Sequence, residues 1–128
     1  DDETGFVCPA FSDLIFYKLH VRGFTKHASS GVKKKGTFAG LTEKIPYLKE
    51  LGIDIIYMTP IFESPSTHKY NIVDYYHIDS SFGTEEDLKE LVEKAHAMGM
   101  KVILDGVFNH TSRDFFAFKD ILEKGENT

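Results

Sequence analysis

Three apolar, β-branched segments constrain the fold of this chain more than any other feature. They occupy residues 14–21, 53–58 and 101–108. Near-continuous apolar runs of this kind are typical of parallel strands that are covered on both faces. At the spacing of their first residues, eight such units would need roughly 350 residues, which is the size of a large (β/α)8 barrel. The 128 residues would then be rather less than half of a barrel.

The segment between the first two strands predicts one amphipathic helix. Its apolar residues recur at helical spacing and are Leu41, Ile45, Leu48 and Leu51. Pro46 has no N–H to donate and must fall in the first turn, so we expect this helix to begin near Thr42. Gly52 can end it.

The segment between the second and third strands has a better-defined helix start. Residues 84–87 (Thr-Glu-Glu-Asp) have the spacing of a capping box, with Asp in place of the usual Glu. The apolar stripe that follows consists of Leu88, Leu91, Val92, Ala95 and Met98. Gly99 closes the helix. The resulting order, β-α-β-α-β, implies parallel pairing with right-handed crossovers.

The predicted fold class is therefore α/β, a partial (β/α)8 TIM barrel comprising about its first three β/α units. We assign residues 1–13 to a lead-in or linker and residues 14–112 to the three units. Residues 113–128 would begin the loop or small domain after the third strand. A complete, doubly wound protein of flavodoxin type also fits the alternation and the length. In both folds, ligands bind at the carboxyl ends of the strands.

Composition excludes several classes of protein. Lys and Arg number 15 against 20 Asp and Glu, and the net charge of −5 argues against nucleic acid as a partner. No apolar run approaches the ~20 residues of a membrane span, and the acidic first residues predict no signal peptide in this sequence. The single cysteine, Cys8, excludes an internal disulfide framework and a multi-cysteine zinc site. A cytoplasmic and a secreted location both stay open.

Polar residues at the end of the third segment form the first candidate site. Asp105 interrupts the apolar run, and Asn109 and His110 follow it. Period-two alternation would place Asp105 and Asn109 on one face of the strand. A carboxylate inside a barrel needs a partner such as an arginine, because desolvation would otherwise raise its pKa. These residues alone support a functional Asp105 and a hydrogen-bonded structural one about equally.

Residues 67–79, which follow the second strand, form the second candidate site. The segment is dense in aromatic and polar groups. Flat aromatic faces beside carboxylates suit sugar rings, which offer apolar C–H faces and hydroxyl rims. Metal binding by His68, Asp74 and His77 is an alternative, although their spacing matches no known metal motif. An ordered loop in which tyrosines pack and hydrogen-bond through their hydroxyls is the purely structural interpretation.

Taken in order, these segments resemble the alpha-amylase family of glycoside hydrolases over about residues 14–112. The matching motifs are GIDIIYMTPIF at 52–62, HKY at 68–70, DY at 74–75, ID at 78–79, FGT at 82–84 and DGVFNH at 105–110. The HKY motif and LHVRGF at 19–24 are most similar to the neopullulanase, cyclomaltodextrinase and pullulanase branches.

The resemblance implies a (β/α)8 barrel that acts on α-1,4- or α-1,6-glucans with retention of configuration. By motif, Tyr70 would stack on the sugar in the subsite before the cleaved bond, and His110 would hydrogen-bond that sugar's hydroxyls. Asp105 would brace the site through an arginine on the fourth strand. Asp74 and Arg22 would be structural supports.

The resemblance also implies one cofactor, calcium, with Asn109 as a candidate ligand. Asn109 matches a calcium ligand in many amylases, and in the branches named above this site is often absent or moved.

The catalytic carboxylates are not expected within these three units. A retaining glycosidase needs two carboxyl groups about 5–5.5 Å apart, and in this family the nucleophile follows strand four and the acid/base strand five. We therefore expect the chain to supply sugar-binding residues and to be inactive alone. Three strands would leave open edges, so the isolated chain should self-associate or need the rest of the barrel. A non-catalytic, amylase-like carbohydrate-binding or structural module is the alternative.

Overall fold

The computed structural model describes residues 10–108, 110, 112, 114 and 115. Its strands and helices, in chain order, are β1 (Phe16–Leu19), α1 (Val21–Thr25), α2 (Phe38–Glu43), α3 (Ile45–Glu50), β2 (Ile55–Met58), β3 (Phe62–Glu63), β4 (Asp74–Ile78), α4 (Glu85–Ala97) and β5 (Lys101–Leu104). Most of the predicted lead-in, residues 1–13, and of the final segment, residues 113–128, lies outside the described residues.

A three-stranded parallel sheet is the framework, in the order β1-β2-β5. Its carboxyl ends are in register, since Leu19 pairs with Met58 and Met58 with Leu104. Strands that follow one another in the chain thus lie side by side, as they do in a barrel. A flavodoxin-type sheet would instead place its first strand between the second and third. The flavodoxin alternative is therefore wrong, and the strand order is the one expected of a partial barrel.

The first strand is shorter than its apolar run. It ends at Leu19 because the next residue, His20, caps helix α1 with its side chain. The His20 Nδ1 accepts hydrogen bonds from the backbone N–H of Arg22 at 3.1 Å and of Gly23 at 3.3 Å. Unpaired N–H groups at a helix start need such an acceptor.

The third parallel strand is also shorter than predicted. It ends at Leu104, so Asp105 follows the strand instead of interrupting it. The Asp105 backbone N–H still donates to the Met58 carbonyl at 3.0 Å, which continues the ladder by one bond. The period-two argument for a shared face with Asn109 does not apply beyond the strand end, and Asn109 lies outside the described residues.

The segment that predicts one helix before β2 forms two short helices, α2 and α3. The Thr37 hydroxyl accepts from the Gly40 N–H at 3.2 Å and starts α2. The helix is interrupted at Lys44 because Pro46 has no N–H with which to continue the hydrogen-bond ladder of α2. Pro46 does occupy a first turn, that of α3, but the predicted helix start near Thr42 is wrong.

The predicted ends of α3 and α4 agree with the structure, whereas the predicted helix start near Thr42 does not. Gly52 and Gly99 end α3 and α4 with φ values of 82° and 78°, which L side chains rarely adopt. Thr84 and Asp87 form the predicted capping box of α4. Leu51 is half exposed, so its predicted place in the apolar stripe is wrong.

The core lies between the sheet and helices α2, α3 and α4. Its fully buried members are Phe38, Leu41, Ile45, Leu48, Ile56, Met58, Ile61, Phe82, Leu91, Ala95 and Met100. Burial of each large side chain stabilises the fold by about 1.5–3 kcal/mol. In the described part of the chain, no helix has the length and apolar composition that a bilayer crossing requires.

An antiparallel hairpin that the sequence did not predict follows β2. Strand β3 pairs with β4, with Phe62 opposite Ile78 and Glu63 opposite Asp74. The loop between them, residues 64–73, begins shortly after the carboxyl end of β2, where the fold class places ligands.

Candidate functional site

Two of the predicted site residues meet at the carboxyl end of the sheet. The Tyr70 hydroxyl, from the hairpin loop, donates to Asp105 Oδ2 at 2.8 Å, just past β5. This hydrogen bond, aided by partial burial, raises the pKa of Tyr70 to about 12, since removing the proton would place two negative charges together. The partner of Asp105 in the described part of the chain is thus a tyrosine, and the half-buried Tyr70 ring keeps an accessible surface.

The backbone of Tyr70 is held as well. Its N–H donates to His68 Nδ1 at 3.0 Å, and the two rings lie 5.9 Å apart with an angle of 32° between their planes. Lys69, between them, has a φ of 65°. These contacts make His68, Lys69 and Tyr70 a tight turn that presents the tyrosine towards Asp105.

A buried ion pair lies behind this turn. Lys69 Nζ lies 2.5 Å from Asp79 Oδ2 and donates to the Ser64 carbonyl at 3.1 Å. Burial raises the pKa of Asp79, but hydrogen bonds from Lys69 and Ser81 outweigh it and hold the pKa below its ordinary value. Local sequence patterns assign no role to Lys69 or Asp79, because no such pattern shows that residues ten positions apart pair.

A second contact joins the loop to the end of β1. The His20 Nε2–H donates to the Thr67 carbonyl at 2.6 Å, while its Nδ1 caps α1. Both ring nitrogens are therefore used, and the neutral tautomer with the proton on Nε2 satisfies them.

Tyr75 connects the hairpin to the segment after β5. Its hydroxyl donates to the Val107 carbonyl and lies 3.3 Å from the His110 carbonyl. Its ring stacks on Phe108 at 6.3 Å. His110, predicted to contact the sugar, is exposed and lies in the same segment as Asp105, with its backbone held by Tyr75.

The other predicted residues lie apart from the Tyr70–Asp105 contact. Asp74 pairs with His77, whose Nδ1 lies 2.5 Å from its Oδ2, while His68 serves the Tyr70 turn. Among the described residues, no three His, Cys, Asp or Glu side chains are grouped to hold a metal ion. The structure thus does not bring His68, Asp74 and His77 together. Asn109 lies outside the described residues.

Arg22 is exposed at the first turn of α1. It lines a cleft of about 590 Å³ that Lys69 and Asp79 also line. Its side-chain stem passes close to Gly36, where an added Cβ would lie 3.2 Å from Arg22 Cγ. The Arg22 side chain thus lies beside the turn at Gly36.

Comparison with known proteins decides the family. The model of the alpha-amylase catalytic domain matches residues 19–128. The chain belongs to this family. The alpha-amylase match includes every residue of the Tyr70–Asp105 site and its Lys69–Asp79 support.

Individual relatives agree with the alpha-amylase assignment. The chain is 54% identical over 93 residues to a cyclomaltodextrinase of Thermoanaerobacter pseudethanolicus, and 50% identical over 93 residues to neopullulanase 2 of Thermoactinomyces vulgaris. Each match covers 73% of this chain and 16% of the relative, so the chain spans about one sixth of their length.

A solved structure gives the same result for the fold. The trehalose-6-phosphate hydrolase of Bacillus licheniformis is similar with a TM-score of 0.81 and 38% identity, over 94% of this chain and 21% of that one. The β1-β2-β5 sheet and its helices are therefore part of an alpha-amylase TIM barrel.

Proposed function

We propose that this chain forms the sugar-binding part of the catalytic barrel of a retaining glycoside hydrolase. Its substrates are α-1,4- or α-1,6-glucans such as starch, maltodextrin, pullulan or cyclodextrin. The observation that supports this most is the Tyr70–Asp105 contact at the carboxyl end of the sheet, in a chain of the alpha-amylase family. The names of two relatives refer to cyclomaltodextrin and pullulan as substrates.

In this proposal each site residue has one role. The Tyr70 ring stacks on the apolar face of a glucose unit. Its hydroxyl donates a hydrogen bond to Asp105, which favours the protonated form of the tyrosine. His110 hydrogen-bonds the sugar hydroxyls. Asp74 supports the hairpin and Arg22 supports the turn at Gly36.

The proposed cofactor, calcium, would be bound through Asn109. Amide and carboxylate oxygens are ligands that calcium accepts.

The proposal also includes dependence on the rest of the barrel. The nucleophile and the acid/base would come from later strands, so the chain alone would release no product from a chromogenic α-glucan. Large apolar side chains near the end of the sheet are exposed, with Ile103 at 37%, Leu104 at 42% and Phe108 at 86%. We expect self-association of the isolated chain in sedimentation velocity, because exposed apolar surface of this kind associates in water.

A transplant tests the function directly. The matched 93-residue segment of the Thermoanaerobacter cyclomaltodextrinase is replaced by that of this chain, and hydrolysis of a cyclomaltodextrin is measured. We expect the chimera to be active, and Tyr70→Ala to lower kcat/KM by about two- to twelvefold, since a stacking contact contributes about 0.5–1.5 kcal/mol. Tyr47→Ala, on the outer helix α3, is the matched control and should retain full activity. Equal activity of both variants would reject the assigned sugar contact, and an inactive chimera would favour a non-catalytic module.

A further inference from the structure

We propose that Lys69 is a positioning residue for Tyr70: by binding Asp79 and the Ser64 carbonyl, it holds the hairpin loop in the one conformation that brings the Tyr70 hydroxyl to Asp105. The consequence for glucan binding rests on the proposed function, but the positioning itself does not.

The backbone of Lys69 is the first argument. Within the described part of the chain, it is the only residue other than glycine with a positive φ, 65°. L side chains rarely adopt this region, because Cβ approaches the neighbouring carbonyl oxygen. Such a conformation persists only where surrounding contacts hold it. The Lys69 side chain supplies those contacts through its own ammonium group.

The completeness of the ion pair is the second argument. The Lys69 and Asp79 side chains are 12% and 4% exposed, and their charged atoms lie 2.5 Å apart. The other carboxylate oxygen of Asp79 accepts from the Ser81 N–H at 2.9 Å and from the Ser81 hydroxyl. The Lys69 ammonium also lies 5.6 Å from the ring centroid of Phe82, a fully buried core residue. A loop residue is thus anchored to the core.

The contacts of Tyr70 itself are the third argument. Its N–H is bound to His68, which is part of the same loop, and its hydroxyl to Asp105, which is the contact to be explained. Neither contact fixes the loop relative to the hairpin strands. Lys69, the neighbour of Tyr70 in the sequence, does fix the loop relative to the strands. It binds Ser64, which follows β3, and Asp79, which follows β4.

The hydrogen bond from Tyr70 to Asp105 reports the position of Tyr70, and the measurement needs no glucan. The full chain is labelled with tyrosine carrying 13C at Cζ, and the Tyr70 signal, assigned with Tyr70→Phe, is recorded by NMR at neutral pH. Asp105→Ala removes the acceptor and gives the position of the Tyr70 signal without this bond. In Lys69→Met we expect the Tyr70 signal to move from its position in the unchanged chain towards that in Asp105→Ala.

Two control variants separate positioning from general effects. Lys89→Met removes a lysine from an exposed ion pair with Glu93 on α4 and should leave the Tyr70 signal unchanged. Lys69→Arg keeps the charge and should leave the Tyr70 signal close to its position in the unchanged chain. Asp79→Asn, which removes the charge but little volume, should move the Tyr70 signal as Lys69→Met does.

Several results would overturn the proposal. A folded Lys69→Met or Asp79→Asn chain in which the Tyr70 signal keeps its position in the unchanged chain would show that the loop does not need the pair. If neither variant folds, the pair is a requirement for folding and not a positioning device. An inactive chimera would reject the proposed function but would leave the Tyr70 signal, and hence this inference, standing.

Discussion

Two ion pairs of the hairpin region have the same length and opposite surroundings. Lys69–Asp79 and His77–Asp74 each measure 2.5 Å between nitrogen and oxygen. The first pair has side chains 12% and 4% exposed, whereas the second has side chains 74% and 31% exposed. Water and salt screen the exposed pair, but the buried pair has exchanged its hydration for protein contacts. Burial, not distance, therefore decides what the loss of one partner costs.

The reach of the two pairs differs as well. His77 and Asp74 lie three residues apart on one strand, so their contact is local. Lys69 and Asp79 join the loop to the end of β4. The core residue Phe82, whose ring lies near the Lys69 ammonium, follows three residues after Asp79. Only the Lys69–Asp79 pair couples the candidate site to the hydrophobic core.

The largest expected effect tests the buried pair. Asp79→Ala leaves the Lys69 ammonium buried without its carboxylate, and we expect a loss of about 3–5 kcal/mol in the free energy of unfolding, measured by urea denaturation. The loss should persist at high salt. Because the pKa of Asp79 is lowered in the fold, its contribution is present above its unfolded pKa and disappears as the pH falls through the folded pKa.

His77→Ala in the exposed pair is the matched control for Asp79→Ala and should change the free energy of unfolding far less. If the two variants were equally destabilised, burial would not be the deciding difference between the pairs.

A smaller effect is expected from the exposed pair, as a shift in titration. The hydrogen bond to Asp74 raises the pKa of His77 above 6.5, and the same bond lowers that of Asp74 below 3.8. The stabilisation from His77 is thus fully present below its unfolded pKa and is lost as the pH rises through its raised folded pKa. NMR titration of His77 should show this raised pKa, and Asp74→Asn should return it to about 6.5. A His77 pKa that does not respond to Asp74→Asn would show that the pair does not form in solution.

The smallest effect is expected at Lys89, whose ammonium lies 3.8 Å from Glu93 on the surface of α4. Lys89→Met should change the free energy of unfolding by no more than about 0.5 kcal/mol, since exposed pairs one helical turn apart contribute little. The measurement is the same urea titration, and raising the salt concentration should remove what difference there is. A change comparable with that of Asp79→Ala would contradict the role assigned to burial.

Much of the architecture could be predicted from local patterns. The capping box at Thr84 and the glycines at 52 and 99 ended or started helices where expected, because those signals act over one turn of chain. The apolar runs predicted where the strands lie, but they did not predict where the strands end. His20 ends β1 with its imidazole, and no hydropathy pattern indicates this. The β3–β4 hairpin was missed because its first strand has only two residues.

The candidate site was predictable in its members more than in its contacts. Tyr70 and Asp105 were singled out separately, and the structure joins them across 35 positions of sequence at 2.8 Å. The arginine expected to partner Asp105 belongs to a fourth parallel strand and stays a prediction; among the described residues, Asp105 accepts a hydrogen bond from Tyr70. The sugar-binding roles of Tyr70 and His110 and the calcium role of Asn109 stay predictions.

The sequence by itself determined the class of fold, the family and the set of polar groups at the carboxyl ends of the strands. These follow from period, capping and motif, which are properties of neighbouring residues. Only the tertiary structure decided which of those groups meet. The left-handed Lys69, its buried contact with Asp79 and the Tyr70–Asp105 bond depend on segments ten to 35 residues apart, and such contacts form only once the sheet and hairpin have brought their ends together.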